Sequence, residues 1–248
     1  MSSKFKLLCQ TLLLVSLCLL LCACQTAKSP QQILEEQVID DTHDAFLIDT
    51  GGKLGTLLVT AGLAMESKGE FGTRDITFNV WNPAEMEQPI QTFTEEFMMG
   101  VAPKFHDVVD ANFDGFQDFG YLFHEGNQPN YWHYWLWDEE KAQFMYYAPL
   151  IEVSQPVFDA ECQIVKGWAR SSAASGTHSF YRWVDGELLL VREIDLDFTK
   201  MIVVKDLLDG QMAEVYREEW DEKDEDDVLD VLYKWDSLDY HGESMGEN

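Results

Sequence analysis

Nine residues, Asp110-Ala111-Asn112-Phe113-Asp114-Gly115-Phe116-Gln117-Asp118, constrain this chain more than any other stretch. Side-chain oxygens stand at loop positions one, three, five and nine, and a glycine at position six allows a sharp turn. The short polar side chains can turn inward together while the residues between them point away. A hard cation such as Ca²⁺ takes about six to eight oxygen ligands at roughly 2.3–2.6 Å, one of which can be a backbone carbonyl. The expected Ca²⁺ ligands are therefore Asp110, Asn112, Asp114, the Phe116 carbonyl and Asp118. The plain alternative is a polar turn whose Asp, Asn and Gly only favour tight backbone geometry.

The flanks of the loop bear on the fold. An EF-hand needs a helix on each side and a bidentate Glu at position twelve. Position twelve here is Tyr121, and residues 105–109 and 119–123 read as strands. This is a calcium loop set between β-strands, closed by Asp118. Strand periodicity continues elsewhere. Ile76, Phe78 and Val80 alternate with Thr77 and Asn79. Tyr131, His133, Trp135 and Trp137 alternate with Trp132, Tyr134 and Leu136, so both faces of that strand should be buried. Asp185-Gly186 and Asp209-Gly210 each separate β-like runs, a strong hairpin signal. Segments 180–183, 188–192, 201–205 and 212–217 then read as a meander. Only residues 34–39 and 228–235 look helical. The expected class is all-β, an antiparallel β-sandwich or open barrel with a strand-flanked calcium loop.

The N-terminus reads as an export signal. Lys4 and Lys6 precede an apolar run from Leu7 to Leu21, too short and wrongly flanked for a membrane span. The run ends in Leu21-Cys22-Ala23-Cys24, which has the form of a bacterial lipobox with Cys24 as the lipidated residue. An ordinary secretory signal cleaved near Ala23 is the alternative. Acyl chains on Cys24 would anchor the protein to the cell envelope, on the outer face of the plasma membrane or on the outer membrane. The expected organisation is a leader over 1–23, a tether over 24–36 and one β-rich calcium-binding domain over 37–248. Cys162 is then the lone cysteine outside the leader and lipobox and is expected as a buried core thiol.

Charge excludes some partners. The 17 basic and 45 acidic residues give −28, and loss of Lys4 and Lys6 with the leader makes the charge more negative still. Nucleic acid and anionic lipid head groups are the wrong sign, whereas basic partners such as wall-directed enzymes are steered in. Residues 218–227 form an acidic run, read as a solvated loop rather than a second cation site.

No catalytic constellation stands out. The six histidines are scattered without zinc spacing. Ser175 and His178 lie three apart, but the nucleophile elbow Gly-x-Ser-x-Gly is absent. No carboxylate pair is singled out for glycoside hydrolysis. The small-residue stretch from Arg170 to His178, flanked by Trp168 and Tyr181, reads either as a connection or as a slim loop able to enter a partner's cleft. Its expected contact residues are Arg170, Ser175, Gly176 and His178.

Several of these motifs occur together in a recognisable order. They are the lipobox, the Asp-x-Asn-Phe-Asp-Gly-x-x-Asp loop, the aromatic strand from Tyr131 to Trp137, Pro156-Val157-Phe158-Asp159, the Arg170-Ser171-Ser172-Ala173-Ala174 loop and the Trp183-Val184-Asp185-Gly186-Glu187-Leu188 hairpin. Over residues 105–198 the chain resembles exported bacterial calcium-binding lipoproteins, some of which protect their owners from peptidoglycan-cleaving effectors. The resemblance implies a fold similar to that of periplasmic lysozyme inhibitors, with Ca²⁺ on Asp110, Asn112, Asp114, Phe116 and Asp118. Such inhibitors use a protruding Ser-Gly-x-x-Tyr loop. Here Ser175-Gly176 is followed by Thr177, His178 and Ser179, with Tyr181 two places late. Two function classes follow. The first is a non-enzymatic, surface-anchored binding or inhibitor module toward a wall-active enzyme or other extracellular ligand. The second is a wall- or glycan-active enzyme using a carboxylate pair.

Overall fold

The computed structural model describes residues 28–68, 73–97, 106–124, 130–221 and 224–241. The leader and Cys24 lie outside the described residues, as does the start of the expected tether. The tether's remainder is not featureless. A five-residue helix, α1 (Pro30–Leu34), opens on a capping box between Ser29 and Gln32 and buries Ile33 against Ala45 and Leu58. Helical structure was expected at 34–39 and lies a few residues earlier, where Pro30 pre-sets the first turn.

Three consecutive meanders follow. The first sheet contains β1 (His43–Asp49), β2 (Thr56–Leu63), β3 (Arg74–Trp81) and β4 (Gln91–Phe97). The second contains β5 (His106–Val109), β6 (Asp118–His124), β7 (Tyr131–Asp138) and β8 (Gln143–Tyr146). A 3₁₀ turn (Ala148–Glu152) leads to the third, made of β9 (Val157–Asp159), β10 (Ile164–Arg170), β11 (Ser175–Val184), β12 (Glu187–Asp197), β13 (Met201–Leu208) and β14 (Gln211–Glu219). Every pairing is antiparallel between chain neighbours. Helix α2 (Glu225–Trp235), capped by Asp224, follows the third sheet.

The sheets stack face to face. Phe46, Ile48, Val59 and Phe78 of the first sheet meet Phe119, Tyr121, Trp135 and Trp137 of the second. The opposite face of the second sheet, with Tyr134, Trp132 and Leu136, packs on Val165, Tyr181 and Trp183 of the third. The far face of the third sheet buries Ile194, Leu196, Ile202 and Val204 under Val228, Leu232 and Trp235 of α2. The middle sheet is thus covered on both sides, which is why both phases of β7 are apolar. This is an all-β sandwich architecture, and among the described residues no sheet closes into a barrel.

Both Asp-Gly pairs form the expected two-residue hairpins. Asp185 and Gly186 take φ of 51° and 81°, and Asp209 and Gly210 take 50° and 78°. Both central residues are left-handed, as a turn matched to strand twist requires. Cys162 corrects an expectation: it is exposed in the β9–β10 turn and is not a core thiol. The alternation that suggested burial begins only at Ile164. No helix among the described residues is long and apolar enough to cross a membrane.

Candidate metal centre

The nonapeptide joins β5 to β6, at the place where all three sheets approach one another. From the first sheet, Asp49 N–H donates to Gln117 Oε1 at 2.7 Å, and Gln117 N–H donates back to the Asp49 carbonyl at 3.3 Å. From the third, Trp183 Nε1 donates to the Ala111 carbonyl at 2.8 Å. Phe113 holds φ of 59° and packs into the apolar layer between the second and third sheets. Gly115 has φ of 92°, a conformation costly for any residue with a Cβ.

Within the loop, short polar side chains bind the backbone. Asp110 Oδ1 accepts from Asp114 N–H at 3.0 Å and its Oδ2 from Gly115 N–H at 2.9 Å. Asp114 Oδ1 accepts from Phe116 N–H at 2.9 Å, and its Oδ2 accepts from Asn112 Nδ2 at 2.8 Å. Asp118 is fully buried. Its Oδ2 accepts from Ala111 N–H at 2.8 Å and its Oδ1 from Trp137 N–H at 2.7 Å. Burial pushes the Asp118 carboxyl up to about 8 despite these two donors, and the like charges of Asp114 and Asp110 push the same way.

The structure brings the five expected ligand residues into one turn. Among the described residues no three His, Cys, Asp or Glu side chains stand in a metal-holding group. The donor chemistry nonetheless fits a hard cation. Every candidate ligand atom is oxygen. An ionised carboxylate has about four acceptor sites, and Asp118 uses two of them on N–H groups. A buried carboxylate whose charged neighbours are acids is costly unless a cation compensates it.

The Arg170–His178 stretch differs from a protruding loop. β10 runs to Arg170 and β11 starts at Ser175, with Arg170 paired to Gly176, so the connection is a short turn over 171–174. Arg170 is exposed but donates to its own turn, to the Ser172 carbonyl at 2.7 Å and the Ala173 carbonyl at 3.1 Å. Ser175 Oγ lies 2.7 Å from Ser172 Oγ. Gly176 is buried, and a Cβ there would lie 2.2 Å from the Trp168 ring. His178 packs against Trp168 with ring centroids 4.3 Å apart and planes tilted by 43°, and burial lowers its pKa. Gly176 therefore supports the hairpin and offers no surface to a partner.

Sequence reasoning missed one buried cluster. Asp44 Oδ2 accepts from Tyr121 Oη at 3.1 Å and lies 2.7 Å from His106 Nδ1. Its signal was available, because Asp44 shares the inward phase of β1 with Phe46 and Ile48. A second cleft gathers Asp159, Glu161, Asp236 and Asp239 around Lys166 and Arg182. A general acid there would need a raised pKa. Asp159 is instead lowered by the Cys162 N–H, and Asp236 pairs with Lys166 at 2.8 Å.

No protein-family model matches the chain, and no curated protein sequence does. A solved structure described as a Xanthomonas type IV secretion system related protein aligns over 69% of this chain and 93% of its own, at 14% identity and a TM-score of 0.48.

Proposed function

We propose that this chain is an exported, lipid-anchored calcium-binding protein. It acts as a non-enzymatic binding or inhibitor module of the immunity type toward a wall-active enzyme or another extracellular ligand. The observation that supports it most is Asp118, a fully buried carboxylate closing a loop of Asp110, Asn112 and Asp114. Those four side chains and the Phe116 carbonyl would hold Ca²⁺. When bound, the ion supplies the positive charge that the buried carboxylate lacks.

Placement at the junction of three sheets gives the ion a structural part. The loop is bonded to Asp49 on one side and to Trp183 on the other, so ordering it stiffens the whole stack. Cys24 would carry the anchor, and the acidic body would steer a basic wall-directed enzyme toward the surface. The exposed Arg170 turn, with Ser175 and His178 on the adjoining strand β11, is the proposed contact.

Calorimetry and melting with added Ca²⁺ test the metal reading. Binding with a Kd of roughly 10⁻⁴ M or tighter is expected, as for extracellular modules, with a rise in melting temperature. Asp114→Ala should abolish both. The absence of heat and of a melting shift at millimolar Ca²⁺ rejects the reading. Loss of fatty-acid labelling in Cys24→Ser tests the anchor, and pull-down with and without Ca²⁺, comparing wild type with Arg170→Ala, tests the module.

A further inference from the structure

We infer that the outward face of the first sheet is a binding groove for a neutral oligosaccharide. This inference is independent of the metal and inhibitor readings. The groove, about 600 Å³, runs across β1, β2 and β3 between the residues after α1 and the β3–β4 connection, a size typical of ligand sites. His43, Thr60, Thr77, Asn79 and Trp81 line its floor, and Val38 and Met86 stand on its two sides.

The floor departs from the rest of the molecule in charge. The chain has 45 acidic residues, yet Asp44 is the one acid among the described residues that line the groove. Its carboxylate turns to the opposite side of the sheet, onto Tyr121 and His106. The carboxylates beside the groove are already engaged, Asp40 by Thr42 and His43 and Asp75 by Lys68, so a cationic partner gains little there. An anionic one would be repelled by the surrounding net charge. A neutral ligand rich in hydroxyls suits the groove.

Its polar groups are already oriented. Trp81 Nε1 donates to Thr60 Oγ1 at 3.1 Å, which fixes the half-buried indole. Asn79 Oδ1 accepts from Thr92 Oγ1 at 2.8 Å, which fixes the amide and leaves the Nδ2 donors for a ligand. Thr77 and Thr94 hydroxyls lie 3.1 Å apart and retain further acceptor sites. A pyranose ring has one apolar C–H face and a rim of hydroxyls. The C–H face suits the electron-rich face of an indole, and the rim suits amide and threonine groups. Side chains held in place before binding lose little entropy on association.

The test uses the full chain in detergent, with N-acetylchitotetraose and cellotetraose as neutral probes and tetragalacturonate as the anionic control. Calorimetry should show at least one neutral sugar binding in the millimolar range or tighter. Trp81→Ala should weaken it at least about tenfold and Asn79→Ala about fivefold, since anchoring aromatic groups dominate and polar partners orient. Asn79→Ala leaves the inter-sheet core untouched, so it decides the matter if Trp81→Ala melts early. Failure of both neutral sugars to bind, wild-type affinity in Asn79→Ala, or preferential binding of tetragalacturonate would each overturn the inference.

Discussion

Trp183 donates its indole N–H to the carbonyl of the fully buried Ala111 at 2.8 Å, while the Ala111 N–H is held by Asp118 at 2.8 Å. One buried residue is thereby gripped from the third sheet and by the last acid of the loop. The indole ring also packs on Tyr147, with centroids 4.7 Å apart. Trp183→Phe should keep the packing and lose the donor, leaving a buried carbonyl unsatisfied. The expected cost is about 1–3 kcal/mol in urea unfolding. Ca²⁺ affinity should fall with it, because the loop loses its hydrogen bond to the third sheet. An unchanged unfolding midpoint would show that the bond contributes nothing to the loop.

Asp118 makes the stability of Ca²⁺-free protein depend on pH in an unusual direction. Its carboxyl is raised from 3.8 to about 8 on folding, so the folded state holds a proton that the unfolded state has released. Stability should therefore fall as pH rises from about 4 to about 8. Ca²⁺ favours the ionised form and should remove that slope. Asp118→Asn cannot accept from both Ala111 and Trp137 N–H groups, so it should be less stable at pH 5. It should also lack the slope and bind Ca²⁺ poorly. Chelator-treated protein melted across this range, with a flat wild-type profile, would refute the assignment.

Arg192 anchors the C-terminal segment. Only 1% exposed, it forms two bonds to Asp206 at 2.6 and 2.7 Å and donates to the carbonyls of Trp235, Ser237 and Tyr240. Its planar fork cannot be copied by lysine. Arg192→Lys and Arg192→Met should each destabilise the protein, the Met variant by about 3–5 kcal/mol because Asp206 is left without its buried partner. Hydrogen exchange should accelerate in α2 more than in β5–β8. Equal acceleration throughout would show that the clamp does not act locally.

Much of this architecture can be read directly. The two apolar phases of β7 mean cover on both faces, and Asp-Gly pairs mean hairpins, because each follows from local geometry. Long-range polar pairing does not follow that way. Asp44 is legible as an acid in an inward phase, yet its partners His106 and Tyr121 lie 62 and 77 residues away. The 170–178 stretch reads as a loop because Ser, Ala and Gly give no alternation. Trp168 lying over Gly176 makes it a hairpin, and that cover is a contact across strands. The acidic nonapeptide is legible as a candidate ligand set. Its position between three sheets depends on Gln117 and Trp183, whose partners spacing does not reveal.

His133 is the clearest pH-sensitive element apart from the loop. It is buried, stacks on Phe123 with centroids 4.2 Å apart, and lies near Phe97, Trp135 and Tyr146. Neither ring nitrogen has a hydrogen-bond partner, and burial lowers the pKa from 6.5 to about 4. The folded state thus resists protonation that the unfolded state accepts. Stability is present in full above about pH 6.5 and is lost as pH falls toward 4, by up to roughly 3 kcal/mol at about 1.4 kcal/mol per pH unit. His133→Phe keeps a flat ring among aromatics and has nothing to protonate. It should match or exceed wild-type stability at pH 7 and exceed it clearly at pH 5, when both proteins are unfolded in urea with Ca²⁺ saturating. A variant that lost stability in parallel with wild type between pH 7 and 5 would assign the acid sensitivity to other groups.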